Sequence, residues 1–159
     1  MTKINVYEMG SKVPATIDAH EDQRLDEALQ LHDGDVLVLI DDDEDVDFAN
    51  LDVSRTVADV AADRAGLVVL RNPLSKVVVD VHYTGLTASL HVHAATRIRR
   101  IRKLAIKALE LDPETAADTA LRLEGSTTDL PLKQPIGIYL DKGQHQISLD
   151  LVHKKRPQG

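Results

Sequence analysis

The sequence predicts an α+β protein built from two small domains that follow one another along the chain. Its 159 residues, 43% of them apolar, suffice for one medium core or two small ones. The two halves of the chain differ in net charge. Up to Pro73 there are 6 Lys and Arg and 17 Asp and Glu, which gives a net charge of −11; from Leu74 onward there are 13 and 9, which gives +4. Each half contains two strand patterns, then a helical pattern, then further strands. We therefore predict domains at residues 1–73 and 74–152, and a flexible tail at 153–159.

The first half predicts two strands, a helix, a strand, a short helix and a closing strand. The first helix is expected from Asp22 to Leu31, where apolar residues recur at helical spacing. Ser54 is a candidate N-cap for the second. Between the two helices, the acidic run Asp41 to Asp47 lacks the central glycine of a calcium loop and is expected to be an exposed, mobile loop. The strands are expected at Lys3 to Glu8, Val13 to Ala19, Val36 to Ile40 and Leu67 to Leu70.

The second half opens with a predicted β-hairpin. Apolar residues from Val77 to Tyr83 alternate with other residues, which is the period of a strand. If Gly85-Leu86 forms a two-residue type II′ loop, His82 faces Ser89 on the partner strand. This register leaves one face of the hairpin apolar and the other polar.

A helix is predicted next, and two more strands after it. Thr96 is a candidate N-cap, and apolar residues from Ile98 to Ala108 recur at spacings of three and four. Asp112-Pro113 is expected to stop the helix. The remaining strands are expected at Thr119 to Glu124 and His145 to Val152, separated by an irregular stretch that contains Pro131 and Pro135.

Composition and motifs argue against several functional classes. The chain has no cysteine, so it supplies no disulfide, thiol nucleophile or thiolate metal site. It has no glycine-rich phosphate loop and no nucleophile motif, so we predict neither enzymatic activity nor a cofactor. The longest apolar run, Val36 to Ile40, is too short to cross a membrane, and residues 1–20 lack a signal-peptide pattern, so a cytoplasmic protein is expected.

Three histidines, His82, His91 and His93, share the polar face of the predicted hairpin and form the best candidate for a metal site. Only Asp80 is fixed nearby as a fourth ligand, and histidines on a solvated strand face need no function. We therefore expect no metal.

The helix carries the strongest basic cluster of the chain, from Arg97 to Lys103. Such a cluster is compatible with nucleic-acid binding, with docking of a partner protein, or with the solvated face of an amphipathic helix. Aromatic residues for base stacking make up only 3% of the chain, and the acidic first half would repel phosphate. Docking of a partner protein is therefore the better functional interpretation, through Arg97, Arg99, Arg100 and Lys103.

The order of these elements resembles the β-grasp of ubiquitin-like proteins, in which a mixed sheet wraps around one helix. In the second half the resemblance lies in the hairpin, the basic helix, the strands Ala120 to Leu123 and Ile147 to Val152, and a tail that ends in glycine. In the first half it lies in Arg55 to Val60, followed by Gly66 to Leu70. A tandem pair ending in glycine is similar to the interferon-induced two-domain modifiers of vertebrates and to the bacterial modifiers of anti-phage conjugation operons.

The resemblance implies chemistry at the C-terminal glycine. An activating enzyme would adenylate the Gly159 carboxylate with ATP and take it as a thioester, a conjugating enzyme would pass it to an amine of a target protein, and a protease would reverse the bond. The tail departs from the common pattern of an arginine and two glycines, because Pro157 and Gln158 precede a single glycine. The alternative is a non-conjugated tandem β-grasp adaptor that binds partners through its sheets. Recognition of the tail is expected at Lys154, Lys155, Arg156, Pro157 and Gln158.

Overall fold

A computed structural model describes residues 1–40 and 48–154, in which two sets of four strands follow one another, each with a helix after its second strand. The acidic run at 41–47 lies outside the described residues. No helix in the described part of the chain has both the length and the apolar character needed to cross a membrane. The first set comprises β1 (Thr2–Glu8), β2 (Ser11–Ala19), α1 (Leu25–Ala28), β3 (Leu37–Leu39), α2 (Val57–Ala61) and β4 (Gly66–Arg71). The second comprises β5 (Val77–Tyr83), β6 (Leu86–Val92), α3 (Ile98–Ala108), α4 (Pro113–Ala117), β7 (Thr119–Leu123), a 3₁₀ turn (Ile136–Tyr139) and β8 (Gln146–His153).

Two four-stranded mixed sheets are built from these strands, in the orders β2-β1-β4-β3 and β6-β5-β8-β7. In each sheet the two central strands are parallel, β1 with β4 and β5 with β8, and the edge strands pair antiparallel to them. The last strand of each set therefore lies beside the first. This topology confirms the predicted α+β class with two tandem β-grasp domains.

The chain forms two compact units. Unit 1 contains Met1–Leu74 and Gly137–Lys142, and unit 2 contains Ser75–Ile136 and the chain from Gly143 onward. The core of unit 1 consists of side chains from one face of the sheet together with apolar residues of both helices and the segments beside them, which removes these side chains from water. They are Ile4, Val6, Ala19, Leu25, Leu29, Leu37, Val57, Val60, Ala61, Leu67 and Val69.

The first helix is shorter than predicted, since only Leu25–Ala28 of the expected Asp22 to Leu31 is helical. The backbone N–H of Leu25 donates to the carbonyl of Arg55 at 3.0 Å, so the helix starts against the segment before α2. Gln30 has a φ of 50° and ends the helical course. Backbone pairing between distant segments thus overrides the local apolar pattern.

The predicted cap of α2 is also wrong. The side chain of Thr56, two residues after Ser54, accepts a hydrogen bond from the Asp59 backbone N–H at 3.2 Å. Ser54 instead lies in the turn before the helix, where its N–H donates to the Asp52 carboxylate. The helix therefore begins at Val57 with a threonine N-cap.

Helix α3 begins without a side-chain cap, contrary to the prediction for Thr96. Thr96 is 3% exposed, and its carbonyl accepts a hydrogen bond from Ile136. The first N–H groups of the helix donate to backbone carbonyls of a distant loop: Ile98 to Gln134 at 2.9 Å and Arg99 to Leu132 at 3.0 Å. A loop far along the sequence thus satisfies the donors that a cap residue would have taken.

The hairpin turn lies one residue earlier than predicted. Tyr83 pairs with Leu86, so the loop is Thr84-Gly85, with φ values of 42° and 85°. Two positive φ values are those of a type I′ turn, whose twist matches that of the strands. Relative to the predicted register, β6 is displaced by two residues, so His82 faces Thr87 and not Ser89. Because the displacement is even, each side chain keeps its predicted face.

One helix was not predicted. Asp112-Pro113, interpreted as a stop signal, also starts α4: the Asp112 carboxylate accepts a hydrogen bond from the Thr115 N–H at 2.7 Å. Proline at the first helical position is favourable, because its missing N–H would have had no intrahelical partner.

Candidate functional site at the root of the C-terminal tail

The last described residues of unit 2, at the end of β8, are tied to neighbouring segments of the same unit. Strand β8 is paired on both sides, with β5 and with β7. The Tyr83 hydroxyl lies 2.8 Å from Nε2 of His153, and the two rings meet edge to face with centroids 5.6 Å apart. The backbone N–H of Lys154 donates to the Asp118 carbonyl at 2.6 Å. The tail root is therefore held by β5 and by the residue before β7.

Of the flexible tail predicted at 153–159, His153 instead is the last residue of β8, and Lys154 is the last residue in the described part of the chain. Its side chain is exposed. The remaining predicted tail residues lie outside the described residues: Lys155, Arg156, Pro157, Gln158 and the conjugation residue Gly159.

A cleft of about 390 Å³ lies beside the tail root, and we call it the tail-root cleft. Lys154 lines it on the side of the tail. Leu130 and Leu132, which follow β7 in the chain, form part of its apolar wall. Arg102 of α3 also lines the cleft. The cleft therefore combines an apolar wall with two cationic side chains.

Arg102 holds the wall of the cleft in place. Its Nε donates to the Thr119 carbonyl at 3.0 Å, and one terminal nitrogen donates to the Ala116 carbonyl at 2.6 Å and to Oγ1 of Thr119 at 3.1 Å. A planar guanidinium suits such a set of acceptors, because its donors diverge in fixed directions. Arg102 thus joins α3 to the last turn of α4 and to the first residue of β7.

The four basic residues predicted to dock partners lie on or next to α3. Ile98, Ile101 and Ala105 form its buried side, while Lys103 is exposed and Arg97, Arg99 and Arg100 are half-buried. None of the four lines the tail-root cleft, whereas Arg102 does. In the sequence Arg102 is one cation of the basic cluster from Arg97 to Lys103 and is not among the predicted docking residues. Its position directly after a buried isoleucine is the signal that marks the border of the apolar side.

Histidines predicted on the polar face of the second sheet form contacts with neighbouring residues of the chain. Nδ1 of His82 lies 2.9 Å from the Thr87 hydroxyl, and its Nε2 lies 3.3 Å from the Glu124 carboxylate. His93 comes after β6, where its Nδ1 accepts a hydrogen bond from the Ala95 N–H at 2.9 Å and burial lowers its pKa. Among the residues that the structure describes, no group of three or more His, Asp and Glu side chains could hold a metal ion.

Asp35, in the loop before β3, is a carboxyl group of unit 1 whose pKa is strongly lowered. The Asn72 amide donates to Asp35 at 3.0 Å, the His32 backbone N–H donates to it at 2.9 Å, and Arg71 pairs with it. These hydrogen bonds, with that of Asn72 the largest contribution, lower the pKa of Asp35 from 3.8 to about 2. Asn72 also accepts a hydrogen bond from the Val36 N–H at 2.8 Å, so the cluster ties the loop before β3 to the end of β4.

Comparison with known proteins supports the fold of the second half. Residues 78–154 match the family model described as BilA ubiquitin-like domain 2. No curated protein matches the chain. Solved structures similar to part of the chain include ubiquitin of Caldiarchaeum subterraneum, at 12% identity and a TM-score of 0.39, covering 52% of this chain and 99% of that one. Another is an Arabidopsis thaliana protein solved from evolutionary couplings and sparse NMR data, at 15% identity and a TM-score of 0.39, covering 54% and 94%. The family match and the strand order of the second sheet give the second half a ubiquitin-like β-grasp fold, and the first sheet has the same strand order.

Proposed function

We propose that this chain is a bacterial ubiquitin-like modifier, joined to target proteins through the carboxylate of Gly159 in the cytoplasm and used in defence against phage. The observation that carries the proposal is the match to BilA ubiquitin-like domain 2, which extends to Lys154. The last described backbone hydrogen bond of the chain is also made there, to Asp118. Lys154 is thus tied to the residue before β7, and residues 155–159 with the proposed conjugation residue follow it directly in the sequence.

The proposed chemistry has four steps, and partner enzymes carry them out. A carboxylate oxygen of Gly159 attacks the α-phosphorus of ATP, giving an acyl adenylate and releasing pyrophosphate. A thiolate of the activating enzyme attacks the acyl carbon and releases AMP; the thiolate belongs to the partner, because this chain has no cysteine. After transfer to a conjugating enzyme, a target amine displaces the thiolate, loses a proton and forms an amide, which a protease can hydrolyse. This chain is the substrate throughout and not the catalyst.

Residues of the tail and of α3 have distinct proposed roles. Glycine has no Cβ, so a narrow cleft can bring its carbonyl against a nucleotide and a thiolate. Lys154, Lys155 and Arg156 would pair with acidic walls of that cleft, and Pro157 and Gln158 would be recognised along it. The residues Arg97, Arg99, Arg100 and Lys103 would form a docking surface on the domain at 74–152, which delivers the tail. The acidic domain at 1–73 would serve recognition of targets or enzymes.

The test is detection of the conjugate itself. Tagged protein is incubated with ATP and lysate of the native host, and the adducts are digested with trypsin. Trypsin cuts after Lys155 and spares the Arg156-Pro157 bond, so target lysines should carry the remnant Arg156-Pro157-Gln158-Gly159. The remnant should disappear without ATP, and deletion of Gly159 should abolish the adducts while circular dichroism stays unchanged.

The alternative function, a non-conjugated adaptor, predicts the opposite result. An adaptor gives no ATP-dependent remnant in lysate shown to contain the neighbouring conjugation enzymes. Its binding to partners is also the same with and without Gly159. The two functions therefore differ in a covalent bond that mass spectrometry detects directly.

A further inference from the structure

We propose that the tail-root cleft receives an apolar side chain, flanked by carboxylates, from the enzyme that activates the tail. This inference rests on the proposed function and assigns a docking contact to it. Apart from Lys154, the contact lies outside the tail, and it lies outside the basic residues of α3 that the sequence singled out. It makes Leu132 the central residue of the docking surface.

The apolar wall of the cleft provides area that the fold itself leaves open. Leu132 is 46% exposed, whereas its neighbour Leu130 is 8% exposed and belongs to the core. Pro131 lies between the two leucines in the sequence, and all three residues line the cleft. A half-exposed leucine beside a cleft can bury further apolar area when a partner side chain enters.

The wall is also fixed in place before any partner binds. The Leu130 N–H donates to the Leu121 carbonyl at 2.8 Å, and the Leu132 carbonyl accepts from the Arg99 N–H at 3.0 Å. The hydrogen bonds of Arg102 to Thr119 also hold α3 against β7. Binding of a partner would therefore cost little free energy for ordering this surface.

The charges at the cleft favour an acidic partner. Arg102 and Lys154 bring two positive charges to the lining. The lining residue Asp129 is already engaged, because its carboxylate lies 2.7 Å from Nε of Arg122. Carboxylates on the partner would therefore meet a positive rim around an apolar wall.

The short tail requires the enzyme that holds Gly159 to lie close to the cleft. Five residues follow Lys154 up to Gly159. A chain extends by at most about 3.3–3.6 Å per residue, so Gly159 cannot lie more than about 18 Å from the end of Lys154. An enzyme that holds the Gly159 carboxylate must therefore approach to within that distance of a residue that lines the cleft.

The experiment compares Leu132→Lys with Leu86→Lys. Leu86 is 53% exposed and begins β6, which is separated from β8 by β5 and lies on the side away from β7. Both substitutions remove an exposed leucine and add one positive charge, but only Leu132 lines the cleft. Each variant, labelled with heavy isotopes, is mixed in equal amount with unlabelled wild-type protein in host lysate with ATP. The heavy-to-light ratio of the trypsin remnant gives the relative conjugation rate.

We expect Leu132→Lys to be conjugated about tenfold more slowly than wild type, which corresponds to about 1.4 kcal/mol of lost transition-state binding. Leu86→Lys should compete equally. Leu132→Ala, which adds no charge, should be slowed in the same direction, and thermal melting by circular dichroism should show that all three variants are folded.

Two results would overturn the inference while leaving the proposed function intact. One is equal competition by Leu132→Lys, and the other is equal slowing of both lysine variants, which would assign docking to the whole end of the sheet. Absence of the remnant from wild-type protein as well would overturn the proposed function and this inference with it.

Discussion

Substitution of Thr84 by asparagine should stabilise unit 2, because the type I′ turn places a β-branched residue in the left-handed region. Thr84 has a φ of 42° and is exposed, so the substitution removes no buried contact. The left-handed conformation costs an L-residue about 1–2 kcal/mol, and asparagine tolerates it better than threonine does. Asparagine followed by glycine is the preferred sequence for this turn.

The expected gain is about 1 kcal/mol, most of the conformational cost that threonine bears at this position. For a domain of about 60–100 residues, about 1 kcal/mol raises the melting temperature by about 4–8 °C. Gly85→Ala is the matched control, and it should change the stability of unit 2 in the opposite direction. A Cβ at Gly85 would meet nothing within 4 Å, so only its φ of 85° opposes alanine, and we expect a loss of about 1–2 kcal/mol.

The assay is urea unfolding followed through the NMR amide signals of β5 and β6, which reports unit 2 alone. In the register predicted from the sequence, with Gly85-Leu86 as the loop, position 84 would be an extended strand position, where asparagine is less favourable than threonine. A lower urea midpoint for Thr84→Asn would therefore refute the Thr84-Gly85 turn and restore the predicted loop.

Two further predictions concern the core of unit 2 and the polar cluster of unit 1. Ile101→Ala, at a fully buried position of α3, should lower the free energy of unfolding of unit 2 by about 2–5 kcal/mol, whereas Ile101→Val should cost about 0.5–1.5 kcal/mol; equal urea midpoints for the two variants would contradict the packing. The lowered pKa of Asp35 means that its ionised form stabilises the fold above the unfolded pKa, near 3.8, and that this contribution is lost as the pH falls to about 2. Asp35→Asn should therefore flatten the decline of the urea midpoint between about pH 4 and pH 2, and an unchanged decline would show that other carboxylates cause it.

Alternation predicted the strands well, while turns and helix ends depended on contacts that the local pattern does not contain. The faces of β5 and β6 were predicted although their register was wrong by two residues, because side-chain direction depends only on parity. Thr96 has the side chain of a cap residue, yet carbonyls of Leu132 and Gln134 take the donors of α3. A residue's capping potential is local, but its use depends on which segment lies against the helix end in the folded structure.

The candidate site also combines residues that the sequence can predict with contacts that only the fold shows. The tail residues could be proposed from the sequence, because a resemblance to a family points to the end of the chain. The cleft beside them could not, because it joins Arg102, Leu132 and Lys154, which are far apart in the sequence. In the sequence, Arg102 is one of several cations on a helix. Only the fold shows that its guanidinium holds the backbone before β7.

The parallel pairing of β5 with β8 explains why the tail root is a property of the whole domain. Parallel strands end at the same side of a sheet, so Tyr83, at the end of β5, lies against His153, 70 positions later in the chain. Lys154 follows and is bonded to the residue before β7, on the other side of β8. Both the position of the tail and the cleft beside it therefore depend on strand order and not on the tail's own residues. The same tail attached to another fold would keep its glycine and its charges, but it would lose the surface beside them. Substitution of Leu132 is therefore a sharper test of how an enzyme selects this protein than substitution within the tail.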